Sequence, residues 1–176
     1  MIYLLALISI MVPLLILQVR WAYRRRQLMA GSWETVIERI RPVNLDGLRT
    51  IAECYLQPDK NQLSIEPSEM WAIVGGLQGI SRLQANAAAM LDLAVFAERW
   101  DDVQGRVVSE MIRRDAVRLN NAVRRLELAY FFQFAFIRAP FYIQEAAATY
   151  YLIRSRLLGL YENCHAGLYP RLAEAL

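Results

Sequence analysis

The chain has one histidine (His165), one lysine (Lys60) and two cysteines (Cys54 and Cys164), and its first 19 residues carry no charge of either sign. Each scarcity excludes something. A structural zinc site draws on clustered Cys and His ligands, and neither Cys-x-x-Cys nor a second histidine is available. Two cysteines far apart read as reduced, partly buried thiols rather than a disulfide framework. No alternating period-2 pattern marks a strand, and no internal repeat is present. The one glycine-rich stretch, Gly75-Gly76-Leu77-Gln78-Gly79, lacks the Gly-Lys-Ser/Thr ending and the preceding strand of a phosphate loop. It reads as a turn between helices or a close helix contact.

What is present begins with those 19 uncharged residues. As a helix they span about 28 Å, near the hydrocarbon thickness of a bilayer. Pro13 is tolerated in such a span. Arg20, Arg24, Arg25 and Arg26 follow at once, with Trp21 and Tyr23 among them, where basic and amphipathic aromatic residues favour the headgroup layer. A cleaved signal peptide carries its charge before the apolar run, the reverse of this order. The expectation is a single-pass anchor at residues 1–19, a basic juxtamembrane segment at 20–29 and a helical domain at 30–176. Positive flanks stay cytoplasmic, which places the amino terminus outside the inner membrane and the helical domain in the cytoplasm.

The net charge of +3 resides in that segment. Setting aside its four arginines leaves sixteen basic residues against seventeen acidic ones. No basic domain remains, so a nucleic-acid partner is not expected. About 150 residues are enough for one domain with a real core.

Caps and periodicity divide that domain into helices. Ser32 caps a short helix, residues 33–41, that stops before Pro42; Asn44 caps residues 45–56. Residues 57–69 are a polar loop, with Pro67 at the next helix start. A helix follows from Leu77 to Trp100 with a small-residue patch at Ala85-Asn86-Ala87-Ala88-Ala89. Asp101-Asp102 marks a boundary, with Asp102 as the cap. The longest helix, 103–137, carries an apolar stripe of Val108, Ile112, Ala116, Leu119, Val123, Leu126 and Tyr130, continued by Phe134 and Ile137. Residues 140–163 form another helix, and Gly167 and Pro170 set off a last one at 171–176. Three long helices with short connections predict an all-α antiparallel bundle, covered on one side by the shorter helices.

The most apolar internal run is Leu128 to Ile137. It is about half the length of a membrane span, and its leading reading is bundle core. The alternative leaves Phe131, Phe132, Ala135 and Phe136 outside the core stripe as a patch for a partner. Arg114, Arg118, Asn121 and Arg125, widened by Arg113 and Arg124, lie opposite the apolar stripe. They form a solvated face with local pairs such as Glu110–Arg114, or else a surface for an anionic lipid or acidic partner. Glu162 and His165 share a helix face as in di-iron bundles, and Glu127 and Glu145 could add carboxylates. Such centres need that unit twice, and this chain has one imidazole. The C-terminal tyrosines suit either a core or an interface.

The expected function is therefore non-catalytic: a membrane-anchored adaptor or accessory subunit binding a protein partner, or a second copy of itself, through Phe131, Phe132, Phe136, Arg114, Arg118 and Arg125. No cofactor, resident metal or small-molecule substrate is expected. The alternatives are an anionic-lipid-binding module and, more remotely, a metal-dependent bundle enzyme.

Overall fold

The computed structural model describes residues 31–56, 65–132 and 139–176, together with Met11, Val12, Leu15, Ile16 and Val19. The described chain is all-α. Its helices are α1 (Trp33–Ile37), α2 (Leu45–Leu56), α3 (Pro67–Val74), α4 (Gly76–Ala97), α5 (Asp102–Phe132), α6 (Ala139–Cys164) and α7 (Tyr169–Ala175). Among the described residues no helix is long and apolar enough to cross a membrane. The anchor expected at 1–19 lies outside the described residues except for the five named positions, and the segment 20–29 lies wholly outside them.

Helix α6 is the axis of the bundle. It packs against α2, α3, α4, α5 and α7. Its buried positions, which include Ile143, Ala147, Tyr150, Ile153, Leu157 and Tyr161, go round most of its circumference, because a helix enclosed on several sides needs no polar stripe. Small residues at Ala146, Ala147 and Ala148 let neighbouring axes approach. Side-chain pairs give the directions. Gln84 donates to Asn120 and Ser109 donates to Glu98, so α4 and α5 run antiparallel. Arg156 pairs with Asp115 while Arg125 lies over the Tyr142 ring, so α5 and α6 are antiparallel as well.

Several ends follow their sequence signals. Ser32 Oγ accepts from the Thr35 amide at 3.3 Å, and Asn44 Oδ1 accepts from the Gly47 amide at 3.1 Å. Others differ. The cap of α5 is Asp101, not Asp102: its Oδ1 accepts from the amides of Val103 (3.0 Å) and Gln104 (2.9 Å). Helix α7 starts at Tyr169, with Pro170 inside its first turn, where a missing N–H costs nothing.

Helix α1 ends at Ile37, four residues short of the expected limit. Tertiary structure overrides its helical pattern. The Arg41 amide donates to Asn86 Oδ1 at 2.9 Å, and Asn86 Nδ2 donates back to the Arg41 carbonyl at 2.7 Å. The same amide group donates to the Tyr150 hydroxyl at 3.2 Å. Asn86 is fully buried, and these bonds hold a strap, residues 38–43, that leaves α1 by a turn and runs on without helix against α4. Arg39 reinforces the strap through Asp92, a buried carboxylate, at 2.8 Å.

The corner between α3 and α4 explains the glycines. Gly75 closes α3 in the left-handed region with φ of 81°, which a side chain resists. At Gly79 a Cβ would lie 1.6 Å from the Val74 carbonyl oxygen, so only hydrogen fits.

Two tyrosines are fully buried. Trp33 Nε1 donates to the Tyr161 hydroxyl at 3.1 Å, which donates in turn to the Leu93 carbonyl at 3.0 Å. Burial pushes both Tyr150 and Tyr161 above the ordinary tyrosine value, Tyr161 the further; hydrogen bonds from Asn86 and Trp33 act in the opposite sense.

Replacing Asn86 by Leu removes two bonds to the strap and one to Tyr150, and should cost about 2–4 kcal/mol of unfolding free energy in urea titrations. Gly79→Ala should destabilise by more than about 2 kcal/mol, because backbone must move. Gly159→Ala, where a Cβ meets nothing within 4 Å, should instead stabilise by up to about 1 kcal/mol. A third expectation concerns alkaline pH. A raised folded pKa means the native state keeps protons that the unfolded chain loses near pH 10, so stability holds below that pH and falls above it. Phenolate absorbance should show Tyr150 and Tyr161 silent until the protein unfolds.

A candidate apolar docking site

The long helix α5 turns the expected stripe inward through Ile112, Ala116, Leu119, Val123 and Leu126, joined by Ala122 and Ala129. Val108 is half-buried. At Tyr130 the stripe fails: its direction is still inward, yet the residue is 54% exposed. The bundle has run out there, and in place of a covering helix lies an apolar cleft.

The cleft has a volume of about 240 Å³ and is walled by three elements. Pro67, Ser68 and Trp71 come from the first turns of α3, Leu126, Ala129 and Tyr130 from the end of α5, and Ala139, Pro140 and Ile143 from the start of α6. Each is there for a local reason. Pro67 and Pro140 fit only a helix's first turn, so both helices begin at the rim. Ala129 and Ala139 are too small to fill the space between them. The Tyr130 ring lies almost parallel to the Trp71 indole, with centroids 6.2 Å apart and planes at 16°, which makes one wall a flat aromatic surface.

Exposed apolar residues also flank the lining residues in the chain. Phe131 is 79% exposed, Leu128 57% and Phe141 51%. The reading of Leu128–Ile137 as bundle core is thus corrected for Leu128, Tyr130 and Phe131, while Ala129 is buried. The physical reason is angular. Leu128 and Phe131 lie away from the inward stripe, and no described helix packs on that side of α5. The side chain of Phe132, and all of Phe134, Ala135, Phe136 and Ile137, lie outside the described residues.

The chemistry of the lining is simple. Ser68 and Tyr130 supply hydroxyls, and the other described lining residues are apolar. Such a lining holds an apolar group by exclusion of water.

The other sequence candidates separate. Arg114, Arg118 and Arg125 are exposed on the outward side of α5. Glu110 lies 3.2 Å from Arg113 and 3.6 Å from Arg114, and Arg125 sits 5.8 Å above the Tyr142 ring. Asp115 turns inward to Arg156, so it does not neutralise the stripe. Arg20, Trp21, Tyr23, Arg24, Arg25 and Arg26 lie outside the described residues.

Glu162 is exposed and points away from any ligand set. His165, just past the end of α6, packs on Trp100 with ring centroids 4.6 Å apart, and its Nδ1 is buried without a hydrogen-bond partner among the described residues. Glu145 is 17 residues from Glu162 along α6, or about 25 Å. Among the described residues no three His, Cys, Asp or Glu side chains converge. Cys164 is a free thiol, and burial, followed by the nearby Asp101, raises it above the ordinary thiol value. A second cavity, of about 400 Å³, lies beside the α3–α4 corner, between Asn44, Gly75, Gln78, Gly79 and Arg82. Its Asn44 oxygen is already used as a cap.

Sequence reasoning missed the cleft. Its members are distant in sequence, and Tyr130 has the spacing of a core residue. The available signals were two prolines at helix starts and a tryptophan on an eight-residue helix.

No family model matches the chain, and no curated protein and no solved structure is significantly similar to it.

Proposed function

We propose that this chain is a membrane-tethered, non-catalytic helical module that binds a protein partner through the apolar cleft at the end of its bundle. Residues 1–19 serve as the anchor, 20–29 as the basic juxtamembrane segment and 30–176 as the helical domain, held at the cytoplasmic face of the inner membrane. The observation that carries the binding site is the open cleft walled by Trp71, Ala129, Tyr130, Ala139, Pro140 and Ile143. Tyr130 and Trp71 present a stacked aromatic wall to an apolar hollow, and apolar surface of this kind marks a binding site. It is the arrangement into which an amphipathic helix lays an apolar side chain.

Two observations support the tether. Met11, Val12, Leu15, Ile16 and Val19 are helical, and each remains 49–60% exposed, so the bundle leaves this apolar face uncovered. The basic cluster then follows in the order that positive flanks require. Geometry makes tether and cleft compatible. Helix α1 meets the bundle at Trp33, beside Tyr161, whereas the cleft lies at Pro140 and Ile143. These positions are about 30 Å apart along α6, so the tether does not obstruct the cleft. Confinement to the membrane raises the effective concentration toward partners held in the same plane.

The test is crosslinking of the C-terminally tagged chain in native membranes, wild type against Ser68→Glu/Tyr130→Ser, two exposed residues of the cleft lining. Recovery of a stoichiometric partner should fall at least tenfold in the variant, while unfolding free energy changes by no more than about 0.5 kcal/mol for each exposed site. Unchanged recovery, or a collapsed thermal midpoint, would sink the proposal.

A further inference from the structure

The outward side of α5 is used by neither the core nor the cleft. Val103, Val107, Met111, Val117 and Leu128 are all exposed there, Val103 at 73%. Between them, at steps of four, three and four residues that keep one helix side, stand Arg114, Arg118, Asn121 and Arg125, also exposed, with exposed Arg124 widening the stripe. The acidic residues of this exposed surface are Glu110, already engaged by Arg113 and Arg114, and Glu127. A soluble helix segregates its apolar stripe inward and its charges outward. Helix α5 does so on its inner side, then mixes aliphatic and guanidinium groups on its outer one.

We infer that this outer face of α5 docks on an anionic bilayer surface, a reading that rests on the membrane tether proposed above. The occupant is chosen by charge and by depth. Arginine forks match lipid phosphates bidentately, and a positive excess has its complement in an anionic leaflet. The headgroup zone also admits aliphatic side chains to a depth of about 5–10 Å, so a mixed ridge is satisfied in one layer. From Val103 to Leu128 the ridge is about 38 Å long. Its Val103 end adjoins Trp100, whose ring meets Tyr161 at 5.8 Å, and Tyr161 holds Trp33 at the start of α1. The tether therefore enters at the same end of the bundle as the ridge begins. The dozen residues between Arg20 and Ser32 reach up to about 40 Å, more than enough to lay the ridge down. The cleft, walled by the inward side of α5, stays open to a partner alongside.

The experiment uses the full chain with Cys54→Ala and Cys164→Ala and one new cysteine carrying a polarity-sensitive fluorophore. The cysteine is placed by Val107→Cys on the ridge or by Glu53→Cys on α2, a helix packed on α6 and α3. Each protein is incorporated into phosphatidylcholine vesicles with or without phosphatidylglycerol, containing lipid whose acyl chain bears a nitroxide quencher. With phosphatidylglycerol present, the label at 107 should be quenched at least threefold more than the label at 53. The difference should vanish in pure phosphatidylcholine and in 1 M salt, where the Debye length is about 3 Å. Arg118→Glu/Arg124→Glu/Arg125→Glu should abolish it with the helical circular dichroism unchanged. Equal quenching at 107 and 53 in a chain that floats with the vesicles would overturn this inference and leave the tether standing, and so would shielding of 107 that requires an added acidic protein. A chain that floats with neither vesicle would overturn the tether and this inference together.

Discussion

The structure depends on the enclosure of α6. A helix with Ala146, Ala147, Ala148, Thr149 and Tyr150 buried in succession, each about 100° on from the last, must be covered nearly all round, and α2, α3, α4, α5 and α7 do the covering. Enclosure has a polar consequence. Two phenolic hydroxyls enter the core with the rings, and a buried hydroxyl without a partner is costly. Asn86 and Trp33 meet that need. Because Asn86 also binds both backbone groups of Arg41, satisfying Tyr150 and fixing the strap are one event.

The same enclosure locates the binding surface. Cover is complete near Tyr161, where Trp33, Trp100, His165 and α7 close the bundle. It is incomplete at the other end, where α3 is only eight residues long and leaves Trp71 and Tyr130 stacked over open space. The proposed partner site is the place where α6 and α5 outrun their neighbours. Trp33 of α1 and the cleft fall at opposite ends, because Trp33 is held by Tyr161 at the closed one.

Much of this was legible in the residues. Ser32 and Asn44 are caps because a short side-chain oxygen beside an extended backbone can reach the second or third amide of a helix. Gly75 marks a corner because a left-handed residue closes a helix there. The stripe from Ile112 to Leu126 is core because spacings of three and four keep one side. Other features were not legible, and the reasons are specific. Asn86 sits in a run of alanines, and only its distance from Arg41 reveals a clamp. Tyr130 has core spacing, and only the end of the neighbouring helix makes it a cleft wall. Asp115 looks like a partner for nearby arginines, but α6 presents Arg156 from 41 positions away.

Local sequence by itself determined the helices, most of their ends and the inward face of the longest one, because these follow from backbone geometry over a few residues. It also determined the charge asymmetry, with no charge in residues 1–19 and four arginines directly after. Tertiary structure alone decided that α6 is central, that the strap leaves the helical state at Ile37, and that Leu128, Tyr130 and Phe131 are surface rather than core. Each of those outcomes turns on which distant helix arrives to cover a side chain, and that is settled by the packing of the whole chain, not by the neighbours in sequence.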